Sequence, residues 1–286
     1  MKITIAKSAG FCFGVKRALA VALEAANTHG RIEMLGDIVH NEDVVRKVKK
    51  AGIKKIKALV TGKGRTLLIR AHGASKQTMQ KAAALGYIII DATCPMVKEI
   101  HKIARGREEK GYKIIIIGDK QHDEVRGIMG QLRGKATVIH DADKIPCSRI
   151  KKFKKVAVVV QSTQNIDKVK RILASIKQCV RQMLFFNTIC RPTRIKQQEI
   201  KSMPLSHDVM VIIGSKTSAN TKRLWQIAKS LNEKSYWIHS QDELKKTWFK
   251  GAKSVGITSG ASTPEETTQK VAGVILRLTR TPKRTL

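Results

Sequence analysis

Three cysteines stand in loops where thiol chemistry is possible. Cys12 lies in "AGFCFG", Cys94 in "DATCP" and Cys190 in "NTICRPT", each shortly after a run of apolar residues. Thiolates on three separate loops could converge on a metal ion or an iron–sulfur cluster, and a fourth iron without a protein ligand would be an open Lewis-acid site. A lone loop cysteine is more often a small buried hydrophobic residue, so spacing alone leaves both interpretations open.

The other two cysteines lack this setting. Cys147 lies in "KIPCSR" and Cys179 in the helix-like "ASIKQCVRQ". For both we predict the role of a small buried hydrophobic residue. Five cysteines, an odd number in a chain of 286 residues, make a poor disulfide framework and suit a reducing compartment.

Two loops rich in hydroxyl and amide groups precede predicted helices. They read "GSKTSANTKRL" and "SGASTPEE". Helix N-termini bind anions, so these loops suit a phosphate or a diphosphate. Ordinary N-capping by Ser, Thr and Asn explains the same residues equally well.

Histidines also follow predicted strands. His40, His72 and His122 do so, and their imidazoles could donate hydrogen bonds to phosphate oxygens. His140 and His239 occupy comparable places. Position alone therefore does not separate a ligand from a bystander.

One acidic residue could take part in proton transfer. Glu124, in "QHDEVRGIMGQ", lies two residues after His122, and such a pair could move a proton. A loop glutamate is more often simply solvated.

The elements that must position these residues form one repeating pattern of strand, loop and amphipathic helix. The candidate strands are "KITIA", "RIEML", "TLLIR", "YIIID", "KIIIIG", "ATVIH", "VAVVV", "MLFF", "VMVIIG", "SYWIH" and "SVGIT". Strands that alternate with helices predict parallel sheets, whose ligands bind at the carboxyl ends of the strands. The loops after the strands therefore hold the function.

The spacing of the loop cysteines predicts three lobes. Cys12, Cys94 and Cys190 are 82 and 96 residues apart and divide the chain into near thirds. We predict an α/β fold with three similar lobes, mainly parallel sheets and one common centre. The predicted bounds are 13–95, 96–186, and 187–275 together with 1–12, followed by a basic tail at 276–286.

The composition is strongly basic. Lys and Arg number 56 against 22 Asp and Glu, a formal net charge of +34, which would attract polyphosphate, nucleic acid or acidic proteins. The charge is dispersed, however, and only 4% of the residues are aromatic, so the stacking platforms of single-strand binders are scarce. No apolar run approaches the ~20 residues of a membrane span. We therefore expect a cytoplasmic protein without a membrane partner.

Taken together, the motifs closely resemble those of the LytB/IspH family, the 4-hydroxy-3-methylbut-2-enyl diphosphate reductases. They are "AGFCFGVKRA", "GDIVHN", "AHG", "DATCP", "HDEVRGIMGQ", "NTIC", "GSKTSAN" and "TSGASTP". They fall in the family's order and spacing from residue 1 to about residue 275. The resemblance implies a three-lobed α/β fold with a central [4Fe–4S] cluster held by Cys12, Cys94 and Cys190, with one iron left open.

The resemblance also implies roles in substrate binding and proton transfer. Glu124 matches the family's proton donor, and Ser162 occupies a place where relatives usually have a threonine that helps to relay protons. The residues that match the diphosphate site are His40, His72, His122, Ser218, Asn220 and Ser262, with Ala219 contributing through its backbone.

Several positions depart from the family's pattern. Ala219 stands where serine or glycine is usual, which removes a side-chain donor but keeps the amide. Pro192, Lys196 and Asp123 replace residues that are typically alanine, arginine and proline. Ser162 keeps the hydroxyl of the usual threonine and loses its methyl group.

The implied activity is a two-electron reductive dehydroxylation that yields isopentenyl and dimethylallyl diphosphate, the last step of the non-mevalonate isoprenoid pathway. Electrons would come from a ferredoxin or a flavodoxin, both acidic, and a basic surface would steer them in. Any binding of nucleic acid would be non-specific. The alternative is a basic nucleic-acid-binding α/β protein that has lost the enzyme role; composition favours it, but the motifs do not.

Overall fold

A computed structural model describes residues 1–279, which form twelve strands and ten α-helices. The strands are β1 (Lys2–Ile5), β2 (Arg31–Leu35), β3 (Lys54–Ile56), β4 (Arg65–Ile69), β5 (Ile88–Asp91), β6 (Lys113–Ile117), β7 (Thr137–Ile139), β8 (Val156–Val160), β9 (Met183–Phe185), β10 (Val209–Ile213), β11 (Ser235–Ile238) and β12 (Ser254–Ser259). The helices are α1 (Phe13–Thr28), α2 (Glu42–Lys50), α3 (Lys76–Ala84), α4 (Pro95–Glu109), α5 (Asp123–Met129), α6 (Cys147–Ile150), α7 (Ile166–Lys177), α8 (Arg191–Ser202), α9 (Ala219–Leu231) and α10 (Glu265–Thr279).

The strands form three parallel four-stranded sheets with one strand order. Counting each sheet's strands as first to fourth, the order is always second, first, third, fourth. Two sheets take consecutive strands, β3-β2-β4-β5 and β7-β6-β8-β9. The third is β11-β10-β12-β1, so the fourth place is filled by the first strand of the chain, with Lys2 beside Ser254. The predicted α/β class with parallel sheets is confirmed.

Side chains along each central strand point alternately to the two faces of the sheet, and a hydrophobic core lies on each face. In β6, Ile115 and Ile117 pack on one face with the apolar side of α7, while Ile114 and Ile116 pack on the other face with α4 and α5. All five residues of β8 are buried, as expected of a central parallel strand covered by helices on both sides. The β-branched runs of the sequence are thus the middle strands of the sheets.

By compactness, the chain divides into two units. The terminal unit comprises Met1–Phe13, His40–Asp43 and the described chain from Arg191 onward, and it holds the sheet completed by β1. The middle unit comprises Gly14–Val39 and Val44–Cys190 and holds the other two sheets. The bounds of the three lobes stay a prediction.

One strand is absent from the sequence prediction. The strand β3 has no apolar run because it is a short edge strand whose lysines point to solvent. In the predicted basic tail, residues 276–279 continue α10, and residues 280–286 lie outside the described residues. Within residues 1–279, none of the helices combines the length and the apolar character that a membrane span requires.

Candidate active site

The predicted site residues occupy equivalent places in the three sheets. Each loop cysteine follows a fourth strand: Cys12 comes after β1, Cys94 after β5 and Cys190 after β9. The other predicted residues follow the first and third strands, which lie side by side at the point where the strand order reverses. In open α/β sheets this reversal is where ligands bind. They are His40 and His72 after β2 and β4, His122, Glu124 and Ser162 after β6 and β8, and Ser218, Ala219, Asn220 and Ser262 after β10 and β12.

The loop of Cys12 is held against the end of β12. The Cys12 amide donates to the Ala261 carbonyl at 3.0 Å, and the Gly10 amide donates to Ser259 Oγ at 2.7 Å. Gly10 has a φ of +96°, a conformation that side chains disfavour, which explains a glycine before the cysteine. The buried Lys196 supplies a positive charge beneath this loop.

Burial lowers the pKa of Lys196 to about 8, although electrostatic interaction with Cys12 and Glu199 acts in the opposite direction. The ammonium therefore stays mostly protonated at neutral pH. Sequence reasoning noticed Lys196 only as a departure from a family pattern. A lysine in the middle of the otherwise polar α8 gave no sign that it would be buried.

The loop of Cys94 is shaped by Asp91. Its carboxylate accepts from the Thr93 amide at 2.9 Å and lies 2.6 Å from Lys98 Nζ. Burial alone would raise the pKa of Asp91, but the hydrogen bonds from Lys98 and Thr93 hold it below its ordinary value. The Cys94 amide donates to the Ala71 carbonyl at 3.0 Å, and Pro95 then starts α4 at the position where helices favour proline.

Arg17 also braces this loop, a role that the sequence prediction missed. Its guanidinium Nη1 donates to the Thr93 carbonyl at 3.1 Å. Arg17 belongs to the "AGFCFGVKRA" motif but lies on a helix, α1, where a basic residue usually signals only a solvated face.

The glycine of "AHG" is explained by a buried histidine. Gly73 has a φ of +77°, and a Cβ there would lie 2.9 Å from Cε1 of His101. His101 lies on α4 and is buried. Burial, with a smaller contribution from Arg105, lowers its pKa to about 4, and Asp91 only partly opposes this. His101 is therefore neutral at physiological pH.

Glu124 and Ser162 are joined by two short polar contacts. Glu124 is only 2% exposed, and its Oε1 accepts from the Ser162 amide at 2.6 Å. Its Oε2 lies 2.6 Å from Ser162 Oγ. Nδ1 of His122 accepts from the Glu124 amide at 3.2 Å and caps α5. The exchange of a proton between Glu124 and His122 stays a prediction.

Ser162 also connects to the third cysteine. The Cys190 amide donates to the Ser162 carbonyl at 3.0 Å. The Thr188 hydroxyl fixes the same stretch by accepting from the Val160 amide at 2.7 Å and donating to the Val160 carbonyl. One residue thus touches both the carboxylate of Glu124 and the backbone of Cys190.

In the terminal unit, the buried side chain of Asn220 is a candidate for ligand binding. It is 5% exposed at the start of α9, and among the described residues neither its Oδ1 nor its Nδ2 has a hydrogen-bond partner. Buried amides are almost always satisfied, so both atoms are left available to a group from outside the described chain. Ser218 caps α9 by accepting from the Thr221 amide at 3.3 Å, and Ser262 Oγ donates to the His40 carbonyl at 3.0 Å.

The remaining histidines differ in their surroundings. The rings of His72 and His122 meet edge to face with centroids 5.5 Å apart. His140 lies 2.5 Å from an Asp119 carboxylate oxygen, and His239 lies 3.3 Å from one of Glu42. His140 and His239 therefore each have an acidic neighbour, which position in the sequence did not reveal.

The prediction for the last two cysteines is wrong in one respect. Cys147 and Cys179 do pack in the core of the β6 sheet, but they form a disulfide with Cα atoms 5.3 Å apart. The short α6 and the end of α7 bring them together across 32 residues of chain, which no local pattern reveals. Cys12, Cys94 and Cys190 carry thiols.

Two departures from the family pattern are accommodated locally. Asp123 pairs with Arg70 at 2.6 Å, so its charge is compensated. Pro192 is the second residue of α8, within the first turn, where a missing N–H costs nothing.

Comparison with known proteins identifies similar sequences over nearly the whole chain. The sequence profile of the family described as "LytB protein" matches residues 3–276. The 4-hydroxy-3-methylbut-2-enyl diphosphate reductase of Aquifex aeolicus is 39% identical over 267 residues, 92% of each chain. The reductase of the same name from Geobacter metallireducens is 37% identical over 265 residues, 93% of each chain.

Solved structures of such reductases share the fold. A structure of (E)-4-hydroxy-3-methyl-but-2-enyl diphosphate reductase, described as the terminal enzyme of the non-mevalonate pathway, matches with a TM-score of 0.72 and 38% identity, over 97% of this chain and 100% of that one. The E-1-hydroxy-2-methyl-but-2-enyl-4-diphosphate reductase of Plasmodium falciparum matches with a TM-score of 0.87 and 29% identity, over 99% of this chain and 89% of that one.

Proposed function

Because the chain belongs to the LytB family of 4-hydroxy-3-methylbut-2-enyl diphosphate reductases, we propose that it carries out the two-electron reductive dehydroxylation of that diphosphate. Two electrons and two protons enter, the bond between carbon and the allylic hydroxyl breaks, and the oxygen leaves as water. The products are isopentenyl diphosphate and dimethylallyl diphosphate. This is the last step of the non-mevalonate route to isoprenoids.

We propose that Cys12, Cys94 and Cys190 are the ligands of a [4Fe–4S] cluster with one iron left without a protein ligand. The donor set fits, because these three half-buried cysteines carry thiols in equivalent loops while the other two cysteines are joined in a disulfide. Such a cluster, when bound, supplies electrons one at a time and a Lewis-acidic iron. The repeated placement of a cysteine after each fourth strand is the observation that carries the proposal.

The diphosphate would be held by the loops after the first and third strands. The proposed residues are His40, His72, His122, Ser218, the backbone of Ala219, Asn220 and Ser262. The buried amide of Asn220, unsatisfied within the described residues, supports this role. The first amides of α9 have no partners within the helix and favour a negative group.

Glu124 would hold the proton that leaves with the hydroxyl. The Ser162 amide fixes one oxygen of the carboxyl group at 2.6 Å, and the other oxygen faces the Ser162 hydroxyl. A proton on Oε2 can therefore pass to Ser162 Oγ while the hydroxyl proton of Ser162 moves to the leaving oxygen. Burial of both side chains keeps bulk water from competing for that proton.

We further propose a cytoplasmic enzyme that takes electrons from an acidic ferredoxin or flavodoxin. The support is the formal net charge of +34, which favours association with acidic proteins. Nucleic acid would bind through the same charge, without sequence preference.

Anaerobic purification and cluster reconstitution test the proposal. We expect a brown protein with stoichiometric iron and sulfide that converts the allylic diphosphate to both products when given reduced donor. Single serine substitutions at Cys12, Cys94 and Cys190 should abolish stable cluster binding.

The same substitution at Cys147 and Cys179 is the matched control and should leave the iron content intact. If Cys147 proves as necessary for iron binding as Cys94, the proposed ligand set is refuted. A reconstituted chain that holds a cluster but leaves the diphosphate unchanged would refute the activity.

A further inference from the structure

A buried ammonium group lies under the loop of Cys12. Lys196, on α8, is 2% exposed, and its Nζ donates to three backbone carbonyls. These belong to Ser8, to Gly10 at 3.2 Å and to Ser259 at 3.0 Å. One side chain thus ties the chain on both sides of Ala9 to the end of β12.

Glu199, one turn further along α8, binds hydrogen-bond donors of the same loop, whereas Lys196 binds acceptors. Its carboxylate accepts from the amides of Lys7 and Ser8 and from the Ser8 hydroxyl, the second of these at 3.0 Å. The ammonium takes carbonyls and the carboxylate takes amides, so the backbone from Lys7 to Gly10 is held in one conformation. We call Lys196 and Glu199 the α8 clamp.

The clamp acts on the stretch that leads directly to Cys12. Gly10, whose carbonyl Lys196 binds, is also the residue with a φ of +96°. Its amide is bound by Ser259 Oγ, and the Cys12 amide is bound by the Ala261 carbonyl. Without the ammonium, the carbonyls of Ser8, Gly10 and Ser259 would lose this donor, and the loop that leads to Cys12 would lose its tie from α8 to the end of β12.

The α8 clamp also brings the positive charge of Lys196 close to Cys12. A negative charge on Cys12, as a cluster ligand carries, would interact favourably with the Lys196 ammonium, which lies buried where water does not screen it. A cluster gains one negative charge on reduction, so a buried cation beside one of its ligands stabilises the reduced state more than the oxidised state.

We propose that Lys196 is a positioning residue that holds the Cys12 loop in its ligating shape and raises the reduction potential of the cluster bound there. This inference rests on the proposed function for the presence of the cluster. The shape of the loop, however, can be measured without any cluster.

Three variants of Lys196 separate shape from charge. Lys196→Met removes the donors and the charge, Lys196→Gln keeps a donor without charge, and Lys196→Arg keeps both. The matched control is Lys201→Met, which removes an exposed lysine from the last turn of the same helix.

The first measurement is hydrogen exchange of the Ser8, Gly10 and Cys12 amides in the chain without a cluster. In Lys196→Met we expect exchange to accelerate by about tenfold or more, as loss of a charged hydrogen bond predicts. Lys196→Arg and Lys201→Met should exchange like the unsubstituted chain. Unchanged exchange in Lys196→Met would refute the clamp.

The second measurement is the midpoint potential of the reconstituted protein, followed by EPR. We expect a shift to more negative potential in Lys196→Met and in Lys196→Gln, and no shift in Lys196→Arg or Lys201→Met. If Lys196→Met does not fold, the glutamine variant still decides the effect of charge. An unchanged potential in Lys196→Gln would overturn that effect, whereas an unsubstituted chain that binds no iron would instead refute the proposed function.

Discussion

At the scale of single residues, Ser162 links the proposed acid to a proposed cluster ligand. Its amide and hydroxyl contact Glu124, and its carbonyl accepts from the Cys190 amide. The side chain proposed to move the proton and the loop proposed to hold the cluster are therefore fixed to the same residue. A small displacement of the Cys190 loop would therefore also shift the contact between Ser162 and Glu124.

Replacing Glu124 with glutamine should slow the reaction more than it weakens binding. The amide keeps the shape and a hydrogen bond to Ser162 but has no acidic proton to give. We expect kcat to fall by about 10²–10⁴-fold, the usual contribution of a general acid, with KM changed little. Steady-state kinetics on the reconstituted variant would measure both.

Asn220→Ala is the paired variant. Removing the buried amide should raise KM while iron content and kcat stay close to those of the unsubstituted protein, because Asn220 would contact only the diphosphate. Near-normal turnover in Glu124→Gln would move the search for the donor to His122 or a bound water.

His101 should make stability depend on pH. Its pKa is about 4 in the folded chain and 6.5 when exposed, so between these values the unfolded chain binds a proton that the folded chain does not. Stability contributed by the neutral imidazole is complete above pH 6.5 and is lost as the pH falls toward 4, by about 3 kcal/mol at most.

His101→Leu removes this proton uptake. Urea unfolding at pH 7.5 and at pH 5 should show a smaller loss of stability in the variant than in the unsubstituted chain. Equal losses in both proteins would show that His101 is not the group responsible.

At the scale of secondary-structure elements, the disulfide joins α6 to the end of α7 within one sheet's core. Replacing Cys147 and Cys179 together with alanine should lower the free energy of unfolding by about 3 to 4 kcal/mol, since the bond closes a loop across 32 residues. Chemical denaturation with and without reductant would show it. The reductant should destabilise the unsubstituted chain and leave the double variant unaffected.

The elements were largely predictable because each middle strand is a run of β-branched residues between turn residues. β3 was missed because an exposed edge strand has no such run. Pairing of Cys147 with Cys179 and burial of Lys196 depend on segments far apart in the sequence, so no local pattern carries them. Sequence motifs identified the loops around Glu124 and Asn220. Only the structure shows that the Glu124 carboxylate faces Ser162 and that the Asn220 side-chain amide has no partner among the described residues.

At the scale of the whole molecule, the net charge of +34 should govern the encounter with the electron donor. Turnover driven by a reduced acidic ferredoxin should fall steeply between low and high salt, because screening weakens long-range attraction. Turnover driven by a small chemical reductant should change little. Equal sensitivity to salt in the two assays would contradict electrostatic steering.

The strand order determines when each sheet can form during translation. β1 is synthesised before the other described strands, yet its neighbour β12, which begins at Ser254, is the last of them. Sheets that contain the loops of Cys94 and Cys190 take their strands consecutively and can close while translation continues. Cys12 is thus translated first among the three thiols and is the last to reach its native surroundings, so the proposed cluster would be completed only after β12 has been synthesised.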